Sequence, residues 1–285
     1  MSIVVTGATG HLGRRVVTQL LAAGVPPEQV TAAGRQTERL ADLAERGVRV
    51  AEIEFSRPET LSAAFAGAGT VLLVSGSEVG RRIDQHRNAV EAAQEAGVGR
   101  VVYTSAPRAD TSALVLAPEH KATEEIIRAS GLTFTILRNG WYTENYLADL
   151  EQAKVTGEIV AAAGQGRVAS ASRNDYADAA AVVLRTEGHD NATYELSGDV
   201  AWDFNDLAAA ASVVLGRPVV YRAVPPEERL VGLLAVGLDE GTAHFAVTLE
   251  ENTRDGLLAE TNGELARIIG HPTTPLIEGL RAVLT

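Results

Sequence analysis

Cysteine is absent from the 285-residue sequence. This absence excludes disulfides, thiolate nucleophiles, iron–sulfur clusters and cysteine-based zinc sites. No apolar run approaches the roughly 18 residues that a membrane-spanning helix requires. The opening residues, Met-Ser-Ile-Val-Val-Thr-Gly, lack the basic and apolar regions of a signal peptide. We therefore expect a cytoplasmic protein that does not associate with membranes.

Basic residues are in the minority, with 25 Lys and Arg against 37 Asp and Glu and a net charge of −12. Because a strongly acidic protein repels phosphate backbones, we expect no nucleic-acid partner. The six histidines show no His-x-Glu or His-Glu-x-x-His spacing, so the sequence predicts no metal site. The apolar share of 46% is ordinary for a globular protein with a large core.

The first half of the sequence alternates short apolar runs with helical periods. The runs predict strands at 3–6, 30–33, 48–55, 71–74, 100–104 and 133–137. Near-continuous apolar strands that are separated by helices are typical of a parallel sheet covered on both faces. The predicted fold class is therefore α/β, with a Rossmann-type doubly wound parallel sheet.

The periodicity weakens after this sheet, and residues 139–172 show no clean period. A helix is predicted at 175–186 and a strand at 193–196, and we expect both to belong to the sheet domain. The rest of the chain is mainly helical. We therefore predict a dinucleotide-binding domain formed by 1–137 plus 173–197. A smaller, mostly helical C-terminal substrate domain takes 138–172 plus 198–285.

Three glycines follow the first strand in the spacing Gly7-x-x-Gly10-x-x-Gly13. Glycines let the backbone turn sharply and approach a pyrophosphate closely, while the N–H groups at the start of the next helix bind the anion. The motif requires a strand before it and a helix after it, and both are predicted here. The spacing predicts a dinucleotide site, and the alternative is a tight turn without a ligand.

The end of the second predicted strand distinguishes NAD from NADP. An acidic residue there would bind the ribose 2′-hydroxyl of NAD, but the sequence reads Ala32-Ala33-Gly34-Arg35. The planar guanidinium of Arg35 suits a 2′-phosphate, and Arg14 adds positive charge. These residues predict NADP(H) as the cofactor, and the alternative is that Arg35 is a solvated surface residue.

Several segments beyond the glycine loop resemble those of a known family. They are Val74-Ser75-Gly76-Ser77-Glu78-Val79-Gly80, Gln85-His86-Arg87-Asn88, Tyr103-Thr104-Ser105, Leu137-Arg138-Asn139-Gly140-Trp141-Tyr142-Thr143-Glu144-Asn145-Tyr146 and Gly270-His271-Pro272-Thr273-Thr274. Together they resemble the NmrA-like branch of the atypical short-chain dehydrogenases. The similarity is greatest to its bacterial NADPH:quinone oxidoreductases, with triphenylmethane dye reductases as near relatives, and it covers nearly the whole chain.

The resemblance implies four segments that hold the cofactor. The pyrophosphate would be bound by Gly7, Ala8, Thr9, Gly10, His11 and Leu12, and the 2′-phosphate by Arg35. The ribose and nicotinamide would lie beside Ser75, Gly76 and Ser77, although Gly76 stands where the family usually has serine. The nicotinamide side would be covered by Asn139, Gly140, Trp141, Tyr142, Thr143 and Glu144. All four segments follow predicted strands, at the ends where parallel sheets bind ligands.

The Tyr-x-x-x-Lys pair of orthodox short-chain dehydrogenases is missing, and Ala117 stands four residues before Lys121. His120 is a candidate proton donor because histidine titrates near neutral pH. The alternatives are a proton from water and a surface histidine without a role. Lys121 either hydrogen-bonds the cofactor ribose or is solvated, and Tyr142 either faces the substrate or belongs to the core.

The resemblance implies an enzyme, an NADPH-dependent quinone reductase that transfers hydride directly from nicotinamide to a quinone or another aromatic acceptor. A flat apolar pocket for that substrate is predicted from Trp141, Tyr142, Tyr146, Leu233, Val236 and Phe245, and the alternative is that some of these residues belong to the core between the two predicted domains. One alternative is a non-catalytic NADP(H)-sensing regulator of the NmrA type, and another is a reductase of triphenylmethane or azo dyes. We expect a monomer or a homodimer.

Overall fold

Strands form in the computed structural model where short apolar runs interrupt the helical periods. In chain order they are β1 (Ile3–Val5), β2 (Val30–Gly34), β3 (Arg49–Glu52), β4 (Thr70–Leu73), β5 (Arg100–Ser105), β6 (Thr133–Asn139), β7 (Glu158–Ala161), β8 (Arg167–Val168), β9 (Ala192–Leu196), β10 (Trp202–Asp203) and β11 (Val220–Ala223). The structure describes residues 2–76 and 78–284.

The α-helices connect and flank these strands. They are α1 (His11–Ala22), α2 (Ala41–Glu45), α3 (Pro58–Phe65), α4 (Arg82–Glu95), α5 (Ala117–Ala129), α6 (Leu147–Thr156), α7 (Arg173–Arg185), α8 (Phe204–Leu215), α9 (Pro226–Ala235), α10 (Glu240–Arg254), α11 (Glu264–Ile269) and α12 (Leu276–Leu284). None of the helices in the described part of the chain has the length and apolar character that crossing a membrane requires.

The chain divides into two compact units, each built from segments that are distant in sequence. Unit 1 comprises Met1–Asp110, Leu116–Asn139 and Arg173–Glu195. Unit 2 comprises Thr111–Val115, Gly140–Ser172 and Leu196–Thr285.

Unit 1 is organised by the large sheet. Over the described residues this sheet has seven strands in the order β3-β2-β1-β4-β5-β6-β9, and β1 to β6 pair in parallel. The predicted α/β doubly wound sheet is therefore confirmed. The strand order reverses between β1 and β4, and in such sheets ligands bind in the crevice beyond the carboxyl ends at this switch point.

The core of unit 1 explains why its strands are apolar along their whole length. On one face the sheet packs against α3 and α4, and the buried cluster includes Val4, Val71, Leu61, Phe65 and Val90. On the other face α1 packs against α7. Because helices cover both faces, β1, β2, β4 and β5 are buried at every position and lack polar–apolar alternation.

Three stretches differ from the sequence predictions. The third strand, predicted at 48–55, is limited to Arg49–Glu52, and the helix predicted at 37–46 is a 3₁₀ turn at Thr37–Leu40 followed by α2. The aperiodic stretch 139–172 contains the helix α6 and the strands β7 and β8. Helix α6 was missed because only Leu150 and Ala153 are buried along it, which leaves no apolar stripe to detect.

Unit 2 is held together by two small sheets and an aromatic cluster. Strand β7 pairs with β11 in parallel, and β8 pairs with β10 in the antiparallel direction. The cluster consists of Tyr146, Trp202, Phe204 and Tyr221, whose neighbouring ring centroids lie 5.0–6.3 Å apart. Helix α8 begins at a capping box formed by Asp203 and Asp206.

Candidate functional site: a dinucleotide cleft in unit 1

The glycine loop joins β1 to α1 at the switch point of the sheet. Gly7 has φ of +62°, a left-handed conformation that a residue without Cβ adopts at little cost. The N–H of Gly10 donates to the carbonyl oxygen of Gly7 at 2.9 Å and closes the turn. Helix α1 starts directly after Gly10, so its first N–H groups face the loop.

The loop has the features that a pyrophosphate needs. A Cβ on Gly13 would lie 2.5 Å from the carbonyl oxygen of Gly7, and one on Gly34 would lie 2.7 Å from the side chain of Thr9. These close approaches hold the loop against α1 and against the end of β2. The first turn of α1 carries neither a capping side chain nor an acidic residue. The positive end of the helix is therefore available to an anion, and these residues fit a dinucleotide phosphate.

A cleft of about 350 Å³ contains most of the predicted cofactor residues of unit 1. It is lined by Gly7, Thr9, Gly10, His11, Leu12, Arg35, Ser75 and Gly76. Ala8 is buried, and its N–H donates to the carbonyl oxygen of Ala33 at 2.9 Å. Ser77 lies outside the described residues. Sequence reasoning assigned no role to Ile53, Glu54 and Phe55, which also line the cleft.

Arg35 and a carboxylate face each other in this cleft. The Arg35 guanidinium donates from Nη1 to Oε1 of Glu78 at 2.9 Å. Oε2 of Glu78 accepts from Nε2 of Gln85 at 3.0 Å and lies 3.6 Å from Nη1 of Arg81. Arg14, the second predicted cation, is paired with Asp42 at 2.5 Å and donates to the backbone of Arg39. Of these two arginines, only Arg35 lines the cleft.

The backbone of the segment after β4 is fixed by buried side chains. The N–H of Ser75 donates to Oγ1 of Thr104 at 2.9 Å, and that of Gly76 donates to Nε2 of His86 at 3.0 Å. The carbonyl oxygen of Gly76 accepts from Nε of Arg82 at 2.8 Å. Both peptide groups of Gly76 therefore have defined directions, although this residue lacks the side chain that the family usually has.

An ion pair between two helices supports this segment. Nη1 of Arg82, at the start of α4, lies 2.9 Å from Oε2 of Glu119 in α5, and both side chains are largely buried. The other oxygen of Glu119 accepts from the N–H of Gly80 at 2.7 Å. The loop after β4 is therefore held at both Gly76 and Gly80.

His86 is a site residue to which the sequence analysis assigns no role of its own. The side chain is fully buried, and Nδ1 lies 3.0 Å from Oγ1 of Thr123. Burial lowers the pKa of His86 to about 3, and the nearby Arg82 charge adds to this effect. Because Nε2 accepts the Gly76 N–H, the neutral ring carries its proton on Nδ1 and donates it to Thr123. The Gln85-His86-Arg87-Asn88 segment contributes to the family resemblance, but its sequence does not reveal this burial.

His120 occupies a different environment from the one expected. It is buried in α5, and its Nδ1 lies 2.8 Å from the hydroxyl of Tyr103. Burial lowers the pKa of His120 to about 3, and the positive charge of Arg82 makes a smaller contribution in the same direction. The expectation that His120 titrates near neutral pH is therefore wrong, and so is its alternative interpretation as a surface residue.

Ser105 belongs to a buried ionic network. Its hydroxyl donates to Oε1 of Glu124 at 2.6 Å. Nε and Nη2 of Arg138 donate to the two oxygens of Glu124 at 2.9 and 2.7 Å. Burial opposes the charge on Glu124, but the hydrogen bonds from Arg138, Ser105 and Arg128 outweigh it and lower the pKa of that carboxyl.

The remaining predicted residues lie in other parts of the fold. Lys121 is exposed on α5, so its role toward the ribose stays a prediction. Asn139 is buried at the end of β6 in unit 1. Gly140, Trp141, Tyr142, Thr143 and Glu144 belong to unit 2, and their contact with the nicotinamide also stays a prediction.

Within unit 2 the segment after β6 is well anchored. The N–H of Gly140 donates to the Leu196 carbonyl at 2.7 Å, Tyr142 forms a parallel bridge with Ala171, and Thr143 Oγ1 lies 2.8 Å from Ser170 Oγ. The six residues predicted to wall a pocket do not share one environment. Tyr146 packs in the aromatic cluster, Leu233 in a core with Ala243 and Val247, and Val236 is 75% exposed.

A comparison with protein families agrees with this geometry. Residues 7–187 match the family described as NAD(P)H-binding. The chain belongs to this NAD(P)H-binding family. Membership confirms the prediction of a nicotinamide dinucleotide cofactor, and the matched range contains every element of the cleft.

Individual relatives are similar to this protein over nearly its whole length. Quinone oxidoreductase 2 of Escherichia coli (strain K12) is 42% identical over 278 residues, which are 98% of this chain and 97% of that protein. The structure of the Escherichia coli NADPH-dependent quinone oxidoreductase with NADPH has a TM-score of 0.95 and 41% identity, and the match covers 99% of this chain and 100% of that one.

A second kind of reductase is almost as similar. The triphenylmethane reductase of Citrobacter sp., solved with NADP(H), has a TM-score of 0.94 and 38% identity, with coverage of 99% of this chain and 100% of that one. The family resemblance predicted from the sequence, to bacterial quinone oxidoreductases and dye reductases, is therefore confirmed.

Proposed function

We propose that this protein is an NADPH-dependent quinone reductase. The observation that carries the proposal is the identity of 42% with quinone oxidoreductase 2, which extends over 98% of the chain. The geometry of unit 1 supports it, because a cleft at the switch point combines a helix N-terminus for the pyrophosphate with Arg35 for a 2′-phosphate.

The residues of unit 1 bind and orient the cofactor. The glycine loop and α1 hold the pyrophosphate, and Arg35 holds the 2′-phosphate. Ser75 and Gly76 would lie beside the ribose and nicotinamide, and their backbone is kept rigid by Thr104, His86 and Arg82. When bound, the reduced nicotinamide supplies a hydride for the acceptor. Much of the rate then comes from holding the acceptor in an attack geometry.

Reduction of a quinone does not require a protonated side chain as the proton donor. A quinone that has received a hydride needs one proton, and its phenolate oxygen can take that proton from water. His120 is neutral at physiological pH because burial lowers its pKa to about 3. We therefore assign His120 to positioning, through its hydrogen bond with Tyr103, and assign the proton to solvent.

The test is NADPH oxidation measured by absorbance with benzoquinone, naphthoquinone and menadione as acceptors. We expect quinone-dependent oxidation, with a primary isotope effect when the transferred hydrogen of NADPH is deuterium. NADPH binding is measured in parallel by calorimetry. Intact binding without quinone-dependent oxidation would contradict the proposal and would favour a dinucleotide-sensing regulator.

A second candidate acceptor is a triphenylmethane dye. The observation that favours it is the 38% identity with the Citrobacter triphenylmethane reductase. Decolorisation of malachite green and crystal violet under the same NADPH conditions separates the two. A kcat/KM for dyes that exceeds the value for all three quinones would make the protein a dye reductase instead.

A further inference from the structure

The cleft of unit 1 contains two side chains that recognise different forms of the cofactor ribose. An arginine at the end of β2 is the device that accommodates the 2′-phosphate of NADP, and a carboxylate is the device that binds the 2′-hydroxyl of NAD. In this protein Arg35 supplies the first, and Glu78, from the loop before α4, supplies a carboxylate that lies 2.9 Å from it. Both residues line the cleft that contains the glycine loop.

Glu78 is held in this position by more than Arg35. Its second oxygen accepts from Gln85 at 3.0 Å, and Gln85 belongs to α4 and also lines the cleft. Arg81 approaches the same oxygen at 3.6 Å. The carboxylate therefore has a defined place at the cleft and keeps two partners when Arg35 turns to another ligand.

Position 34, at the end of β2, is too close to the glycine loop for an acidic side chain. Gly34 is in contact with Thr9 of the glycine loop, so a Cβ there would lie 2.7 Å from the Thr9 side chain. The second strand lacks a carboxylate at its end. Glu78, which follows Arg35 by 43 positions in the sequence, places one beside Arg35 instead.

We propose that Glu78 is a cofactor-selectivity residue: it opposes the 2′-phosphate of NADPH at Arg35 and accepts the 2′-hydroxyl of NADH, so that it reduces the preference of the cleft for NADPH over NADH. The 2′-phosphate takes Arg35 from Glu78 and is repelled by the carboxylate left beside it. NADH leaves the Arg35–Glu78 pair in place and gains an acceptor for its hydroxyl. The inference rests on the dinucleotide part of the proposed function and not on the quinone.

The experiment measures the Kd of NADPH and of NADH by calorimetry without any quinone. In Glu78→Gln, which keeps the side-chain length but removes the charge, NADPH should bind more tightly by roughly twofold to fivefold, the effect of one partly exposed charge. NADH should bind more weakly, so the ratio of the NADH Kd to the NADPH Kd rises. The same direction is expected for the fragments 2′,5′-ADP and 5′-ADP, which carry only the discriminating end.

Two further variants complete the design. Arg35→Gln should weaken NADPH binding and leave NADH binding at or above its original strength. Glu59→Gln is the matched control, because Glu59 is an exposed carboxylate, 3.8 Å from Arg57, and does not line the cleft. Its Kd ratio should equal that of the unmodified protein.

Other results overturn the inference. If Glu78→Gln weakens NADPH and NADH by the same factor, Glu78 only supports the loop and does not select the cofactor. If the ratio of the NADH Kd to the NADPH Kd is unchanged in Glu78→Gln, Glu78 likewise does not select the cofactor. If the unmodified protein binds neither 2′,5′-ADP nor 5′-ADP, both this inference and the dinucleotide assignment of the cleft fail. If NADPH and NADH bind as expected but no quinone is reduced, only the proposed quinone reductase activity fails.

Discussion

The hydroxyl of Tyr103 lies 2.8 Å from Nδ1 of His120, and both side chains are buried in unit 1. The Tyr103 ring lies edge-on to His86 at 5.5 Å and tilted to His120 at 5.9 Å. Burial raises the pKa of Tyr103 and lowers the pKa of both histidines. The three rings therefore form a neutral layer that supports the loop after β4, through the bond from Gly76 to His86.

Replacing His120 tests whether it positions the site or donates a proton. We expect His120→Gln to lower kcat with NADPH and menadione by less than about tenfold, below the 10²–10⁴-fold effect of a general acid. The pH profile of kcat between pH 5.5 and 8.5 should keep its shape. Tyr103→Phe, which removes only the hydroxyl, should behave similarly. A loss above about 100-fold, with an altered profile, would identify His120 as the donor.

The close approach of Gly13 to Gly7 predicts a binding defect. In Gly13→Ala the new Cβ would meet the Gly7 carbonyl oxygen at 2.5 Å and displace the loop. We expect the NADPH Kd to rise at least about tenfold, which corresponds to about 1.4 kcal/mol. Gly232→Ala in α9 is the control, because a Cβ there meets no atom within 4 Å. Equal Kd values for the two variants would contradict the role assigned to the loop.

The buried pair of Arg138 and Glu124 predicts a large loss of stability. Their side chains are 6% and 1% exposed, and Arg138 also contacts Asp110 and Glu195. Arg138→Met leaves a buried carboxylate without that partner, which costs about 3–5 kcal/mol of unfolding free energy.

Urea denaturation followed by circular dichroism measures this difference. Arg57→Met provides the comparison in the same unit, because Arg57 is 54% exposed and its nearest carboxylate oxygen is 3.6 Å away. Its loss should stay below about 1 kcal/mol. Comparable losses in the two variants would show that the buried network contributes no more than a surface pair.

The low pKa values of His86 and His120 predict that stability falls with acidification. Both pKa values drop from 6.5 to about 3 on folding. Between these values the unfolded chain binds protons that the native chain does not, so unfolding free energy decreases as pH falls from about 6.5 toward 3. At pH 5 the loss relative to pH 7.5 is about 1–2 kcal/mol for each histidine.

His86→Gln should therefore lose less stability than the unmodified protein between pH 7.5 and pH 5. Glutamine retains a side-chain acceptor for the Gly76 N–H but does not titrate. His244→Gln is the control, because His244 is 59% exposed on α10. If the pH dependence of His86→Gln matches that of the control, the buried histidine does not cause the acid sensitivity.

Local patterns were sufficient for most of unit 1. The apolar runs predicted β1, β2, β4, β5 and β6 to within two residues at each end, because buried parallel strands carry a continuous signal. The glycine spacing predicted the turn before α1, since that turn depends on only seven consecutive residues. Residues 139–172 were not predicted, because α6 buries too few side chains to leave a period.

By itself, the sequence determined the fold class, the glycine loop, the absence of an acid at the end of β2 and the presence of Arg35, all of which are properties of short segments. Only the tertiary structure decided that His86 and His120 are buried and neutral, and that Glu78 faces Arg35 from 43 positions away. The physical reason is that burial and ion pairing depend on which elements meet in space. Side chains of α4 and α5 meet at the loop after β4, and no local sequence pattern predicts that contact.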